Sequence, residues 1–122
     1  TVNGMDRNRV LLLLAVLEKR TGFKFEDKDV YVNVAGGLKI KDPAADLALC
    51  VALVSSLLDI ALDNNQLWLG EIGLGGELRR VGQLERRIKE AEKLGYIHSW
   101  AKDQHHSNNK PSHLKDILNS FG

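Results

Sequence analysis

Several residues in this chain are of types that could do chemistry. His98, His105, His106 and His113 could ligate a metal, and three of them lie in or beside the polar segment 103–110. Cysteines and acidic residues at ligand spacing are missing around them, so no metal site is expected. Gly73-Leu74-Gly75-Gly76 could be mistaken for a phosphate loop. It lacks the downstream Lys-Ser/Thr pair and leads into an extended segment instead of opening a helix, which makes it a hairpin turn. Ser55 and Ser56 fall in the middle of a helical run with no histidine at a motif spacing; such hydroxyls pack or bond back to the helix. Cys50 is the one cysteine of the chain and lies on an apolar run, so it reads as a small core residue that forms no intramolecular disulfide.

The basic residues are more suggestive. Arg79 and Arg80 sit beside the hairpin, and Arg86, Arg87, Lys89 and Lys93 follow on the next helix, interleaved with Glu77, Glu85, Glu90 and Glu92. Two readings stand: a solvated face laced by pairs one turn apart, or a surface that contacts phosphates. Lys39 and Lys41 precede another helix, whose N-terminus also favours anions. Phosphate contacts of this kind are independent of base sequence and sensitive to salt, and no base-reading motif is present.

These residues need elements to position them. Asp42 and Pro43 read as N-cap and first residue of a helix: the carboxylate accepts an orphan amide, and proline has none to satisfy. From Ala44 to Leu58 nearly every position is apolar or small, which predicts a helix buried on all sides at the centre of the domain. Before it come a helix over 6–20, with Val10, Leu13, Leu14 and Leu17 on one face and Gly22 as stop, and a strand over 30–34. Gly36-Gly37 makes a turn or bulge, and 38–41 is extended. After the central helix, strands are expected over 67–72, 77–80 and 96–100, with an amphipathic helix over 83–94 closed by Gly95. Ser112 caps a last helix whose stripe is Leu114, Ile117, Leu118 and Phe121. The class is α+β, in one domain over 1–122.

Composition sets bounds on partners and class. The chain has 122 residues, 43% hydrophobic and 27% charged, with a net charge of +1, which suits one modest globular domain and says nothing about partners. No apolar run is long enough to cross a membrane as a helix, and the run Leu11–Val16 ends in Glu18-Lys19-Arg20 without a cleavage site, so no signal peptide is expected.

Three stretches carry a resemblance: Asp42-Pro-Ala-Ala-Asp-Leu-Ala-Leu-Cys-Val-Ala-Leu-Val-Ser-Ser, Gly70-Glu-Ile-Gly-Leu-Gly-Gly-Glu-Leu and Val81-Gly-Gln-Leu-Glu-Arg-Arg-Ile-Lys-Glu-Ala. They are similar to the proteolytic domain of the Lon family. The family's Gly-Pro-Ser-Ala-Gly motif falls on residues 42–46, putting Ala44 in the serine position, and its Gly-Gly-Leu-Lys-Glu-Lys run puts Glu85 in the lysine position. A methyl group supplies no attacking oxygen and a carboxylate is no substitute for the lysine base, so Lon-type proteolysis is not expected.

The run from Asn3 to Arg20, Val30-Tyr-Val-Asn-Val-Ala-Gly-Gly-Leu-Lys-Ile and the Pro-Ala-Ala-Asp-Leu-Ala run also resemble the C-terminal domain of the RadA (Sms) family, which shares the loss of the serine. This resemblance reaches to about Ile97; 101–122 is a weakly matched tail with a short helix. It implies a Lon proteolytic-domain-like (ribosomal protein S5 domain 2-like) fold that lacks the family's first strands. It further implies a non-proteolytic scaffold in DNA repair and homologous recombination (branch migration), supporting hexamer assembly and DNA binding. The implied partners are single-stranded or branched DNA, a RecA-like recombinase and further copies of the chain. No cofactor is implied within this chain, since the ATPase motor and zinc module of the family lie outside it. The implied compartment is the cytoplasm of a bacterium, or an organelle matrix in a plant or other eukaryote. From their clustering at the hairpin, the helix after it and the start of the central helix, the residues expected to contact DNA are Arg79, Arg80, Arg86, Arg87, Lys39 and Lys41. Two other readings remain: a Lon-type serine peptidase with a displaced nucleophile such as Ser55, and an interaction module that holds a peptide strand.

Overall fold

The structure is a computed structural model that describes residues 1–26, 28–34, 39–102 and 113–119. Its order is β1 (Val2–Asn3), α1 (Arg7–Thr21), β2 (Val32–Asn33), a 3-10 turn (Pro43–Ala45) running into α2 (Asp46–Leu57), β3 (Gln66–Trp68), β4 (Glu71–Ile72), β5 (Leu78–Arg79), α3 (Leu84–Lys93), β6 (His98–Trp100) and α4 (Leu114–Leu118). Strands pair two by two: β1 with β2 and β3 with β6 in parallel, β4 with β5 antiparallel. Helix and strand are mixed, and one apolar cluster joins α1, α2, β4, β5 and α4. None of the described helices is long and apolar enough to cross a membrane.

Local chemistry sets the boundaries. The Asp6 carboxylate accepts the Asn8 amide at 2.9 Å and opens α1, and Gly22, left-handed at φ 83°, closes it. Val10, Leu13, Val16 and Leu17 are buried along α1, so Val16 takes the place expected for the half-buried Leu14. Asp42 accepts the Ala44 amide at 3.0 Å, as its place before Pro43 predicts, but it opens the 3-10 turn, and α2 proper starts at Asp46. Cys50 is fully buried, and burial pushes its thiol far above the usual range, which leaves a neutral packing residue.

Several expectations change, and the strand over 77–80 is reduced to Leu78–Arg79. The strand over 67–72 is two strands, because Gly70 turns both backbone groups to the start of α2: its amide donates to Ala44 O and its carbonyl accepts from Leu47 N, each at 3.0 Å. The strand over 30–34 shrinks to Val32–Asn33, since β1 offers it only two paired residues. That over 96–100 begins at His98, where its pairing with Gln66 begins. Nor is α2 buried on every side, as its composition suggested. Ala52 and Ser56 are exposed and Ala48 half-buried, and with Val30, Val32 and Ile40 they line a groove of about 510 Å³.

Helix α3 begins one residue later than expected, because Gln83 is left-handed at φ 57°. In α4, Leu114, Ile117 and Leu118 are buried as their spacing predicts. Gly36, Gly37, Leu38, the segment 103–110 with His105 and His106, Ser112 and Phe121 lie outside the described residues.

Candidate functional site

Three carboxylates on this fold are each held between backbone N–H and one arginine. Asp46 is the buried case. Its side chain is 2% exposed and accepts the Ile72 amide at 3.0 Å, Arg9 Nε at 3.0 Å and Arg9 Nη2. Arg9 Nη2 also reaches Ile72 O at 3.4 Å. Helix α1, helix α2 and strand β4 are thereby fastened at one point. A buried carboxylate is tolerable only with its lone pairs satisfied, and here each oxygen has a donor. The bond to Asp46 raises the Arg9 guanidinium further above its already high value, so Arg9 stays charged.

Asp42 is an exposed case. While Oδ1 accepts the Ala44 amide, Oδ2 lies 2.9 Å from Arg87 Nη1, and Arg87 Nε donates to Gly82 O at 2.9 Å. Arg87 thus ties the first turn of α3 to the turn that opens α2. The Ala44 amide, and after it Arg87, hold the Asp42 carboxyl below its ordinary value.

Glu77 is the third. Its carboxylate folds back over the Gly-rich turn, accepting the Gly75 amide at 3.1 Å and Arg79 Nη2 at 3.3 Å. Its own backbone amide, with Arg79 and Gly75, keeps its carboxyl below the usual value. The turn is the hairpin expected from its sequence: β4 and β5 pair across it, with Gly76 left-handed at φ 79°. Arg20, from the end of α1, reaches over to Leu74 O at 3.4 Å, so a basic residue far away in sequence joins this end of the molecule.

The basic residues singled out from sequence therefore have distinct settings. Arg79 faces Glu77 and Arg87 faces Asp42; Arg80, which has an interaction of its own, lies exposed, as do Arg86, Lys39 and Lys41. Lys41 is the chain neighbour of Asp42, and Arg80 that of Arg79. Ala44, which the resemblance to the Lon family sets against the serine, is buried in the 3-10 turn at 5% exposure, and Glu85 is exposed in the first turn of α3. Ser55 Oγ donates to Ala52 O at 3.0 Å, the back-bonding role expected for it. Among the described residues no three His, Cys, Asp or Glu side chains converge on a point where a metal could sit.

Sequence reasoning passed over Arg9, Asp46 and Arg20. The available signal was Asp46 itself: a lone carboxylate inside an apolar run requires a partner. Its partner comes from 37 residues away, and no spacing rule reaches that far.

Comparison with known proteins adds an independent finding. A family model described as subunit ChlI of Mg-chelatase matches residues 6–99. The chain is 53% identical over 96 residues to a DNA repair protein RadA of Synechocystis sp., covering 79% of this chain and 19% of that protein. It is 50% identical over 93 residues to the DNA repair protein RadA of Bacillus subtilis, covering 76% of this chain and 20% of the relative. To that of Chlamydia pneumoniae it is 54% identical over 93 residues, with the same coverage. The chain thus spans about a fifth of the length of the curated relatives it matches.

Proposed function

The chain belongs to the family whose model is described as subunit ChlI of Mg-chelatase, and on that premise we propose that it is a non-proteolytic, Lon-like scaffold domain of a RadA-type DNA repair and recombination protein. In this reading it supports hexamer assembly and holds single-stranded or branched DNA by its phosphates, beside a RecA-like recombinase. The magnesium chelation in the family's description belongs to that subunit and is not carried over to this chain. The observation that carries the reading is the identity of about half the matched residues with proteins named DNA repair protein RadA. Two features agree with it: a buried methyl group and an exposed carboxylate stand where a Lon-type peptidase would need its serine and lysine.

The DNA-contact part is tested by changing Arg79, Arg80, Arg86 and Arg87 to Ala and titrating oligonucleotide binding with salt. Each lost phosphate contact removes about 0.7–0.9 from the slope of log affinity against log salt, equally for unrelated sequences. Equal slopes and affinities for both proteins at matched stability would place the DNA surface elsewhere, with Lys39 and Lys41 the next candidates.

One observation favours a second reading, a module that holds a peptide strand. The groove beside α2 is apolar, floored by Ala45, Ala48 and Ala52, and bordered by β2 with Tyr31 at 75% exposure. An extended peptide lying along β2 would set alternate side chains over those alanines. Ala52→Trp fills the floor and should abolish binding of an unfolded, fluorescein-labelled peptide while leaving DNA binding intact; unchanged peptide binding dismisses this reading.

A further inference from the structure

Two exposed arginine–carboxylate contacts, Arg87–Asp42 and Arg79–Glu77, lie where a backbone amide also donates to the carboxylate. Asp42 caps the start of the 3-10 turn that runs into α2, and its carboxylate accepts the Ala44 amide there. Glu77 fills the Gly-rich turn. A Cβ on Gly73 would lie 1.6 Å from Glu77 Oε1, and one on Gly75 2.8 Å from Oε2, so the two glycines leave the room this carboxylate occupies. In each place the chain's own carboxylate does what a phosphate oxygen would do: it accepts a backbone amide and faces a guanidinium.

We infer that Asp42 and Glu77 are resident competitors for the phosphate groups of a nucleic-acid backbone, holding Arg87 and Arg79 until a phosphodiester takes them over. The inference rests on the DNA-contact reading above and adds to it what sets the affinity. Both pairs are open to water, with side-chain exposures of 36% and 51% for Arg87 and Asp42, and 56% and 38% for Arg79 and Glu77. Ion pairs in such a setting contribute little net free energy and exchange partners readily, whereas the buried Arg9–Asp46 pair does not. Each carboxylate keeps its backbone amide after the arginine leaves, so the turn it stabilises survives the exchange. A guanidinium binds phosphate through two parallel N–H groups.

The test compares the chain with D42N and E77Q, and with E92Q as a control. Each removes one negative charge, and Glu92 lies exposed on the same helix as Arg87. Asparagine caps as well as aspartate, so D42N keeps the turn. Binding of an oligothymidylate should tighten about two- to fivefold in D42N and in E77Q, the range set by freeing an exposed ion pair, and less in E92Q. Equal tightening in all three would be a bulk charge effect and would overturn the inference.

A second readout keeps the DNA reading separate: the Nε–Hε resonances of Arg79 and Arg87 during titration with inorganic phosphate. The Arg87 resonance should shift at lower phosphate in D42N, and that of Arg79 in E77Q, than in the unaltered chain. Should no variant bind oligothymidylate, the DNA-contact reading fails, while the phosphate shifts still uphold the exchange if present and overturn it if absent.

Discussion

Asp42 and Asp46 stand four residues apart at the start of one helix, and each is held by one backbone amide and one arginine. Burial alone divides their roles. Asp46, closed off from water, fastens α1 and β4 to α2, while Asp42 leaves its arginine in solvent. Removal of one partner from a buried pair strands the other, whereas an exposed pair is backed by water.

Asp46→Ala should therefore cost about 3 kcal/mol in urea unfolding, the low end for a broken buried pair because Arg9 is partly exposed. Arg9→Met in the Asp46→Ala background should add far less than Arg9→Met alone. Additive losses in this double-mutant cycle would mean that the two side chains act independently.

At Asp42 the effect is smaller and depends on pH. The Ala44 amide, and after it Arg87, hold the folded carboxyl below its ordinary value of 3.8. The ionised carboxylate therefore stabilises the fold at neutral pH, Arg87 being the part that asparagine cannot replace. Above the unfolded value the chain should exceed D42N by at most about 0.5 kcal/mol. That margin should shrink as the pH falls below 4 and vanish once the folded carboxyl is protonated, as urea midpoints across this range would reveal. A margin that grows on acidification contradicts the pairing.

A serine-directed fluorophosphonate should leave Ser55 unlabelled, because its hydroxyl is committed to Ala52 O. Unfolded protein substrates should stay intact over the same incubation. Labelling of Ser55 accompanied by cleavage would revive the displaced-nucleophile peptidase.

Trp68 and Trp100 face each other across the β3–β6 pair, with ring centroids 5.2 Å apart and planes inclined by 10°. Stacked indoles give an exciton couplet in far-ultraviolet circular dichroism, and either Trp68→Leu or Trp100→Leu should abolish it. Trp100→Leu retains much apolar area but loses the ring–ring attraction, about 1 kcal/mol. A couplet that survives in one single variant rules the stack out as its source.

What could be read from the residues was local. The Asp42-Pro43 start, the Gly22 stop, the hairpin at Gly73–Gly76 and the buried spacing of Leu114, Ile117 and Leu118 all follow from chemistry within a few positions. What could not be read depends on distant partners. β1 has two residues and no periodicity, Gly70 breaks its strand to serve α2, and Arg9 finds Asp46 across 37 positions. The arginines show the same division: their clustering was visible, but the carboxylates facing Arg79 and Arg87 emerge only when the hairpin and α3 are placed.

Strand pairing also dictates an order of events. In β4–β5, Ile72 and Leu78 are six residues apart, a loop that closes in microseconds. Val2 must find Val32, and Gln66 must find His98, each parallel and across an intervening helix. Such pairings bear the entropy of a long loop before any bond rewards it, so they wait until α1 and α3 have shortened the path. Refolding should therefore proceed from the Gly-rich turn outward, with the indole stack forming last, and a nascent chain that ends before His98 leaves β3 without its partner strand.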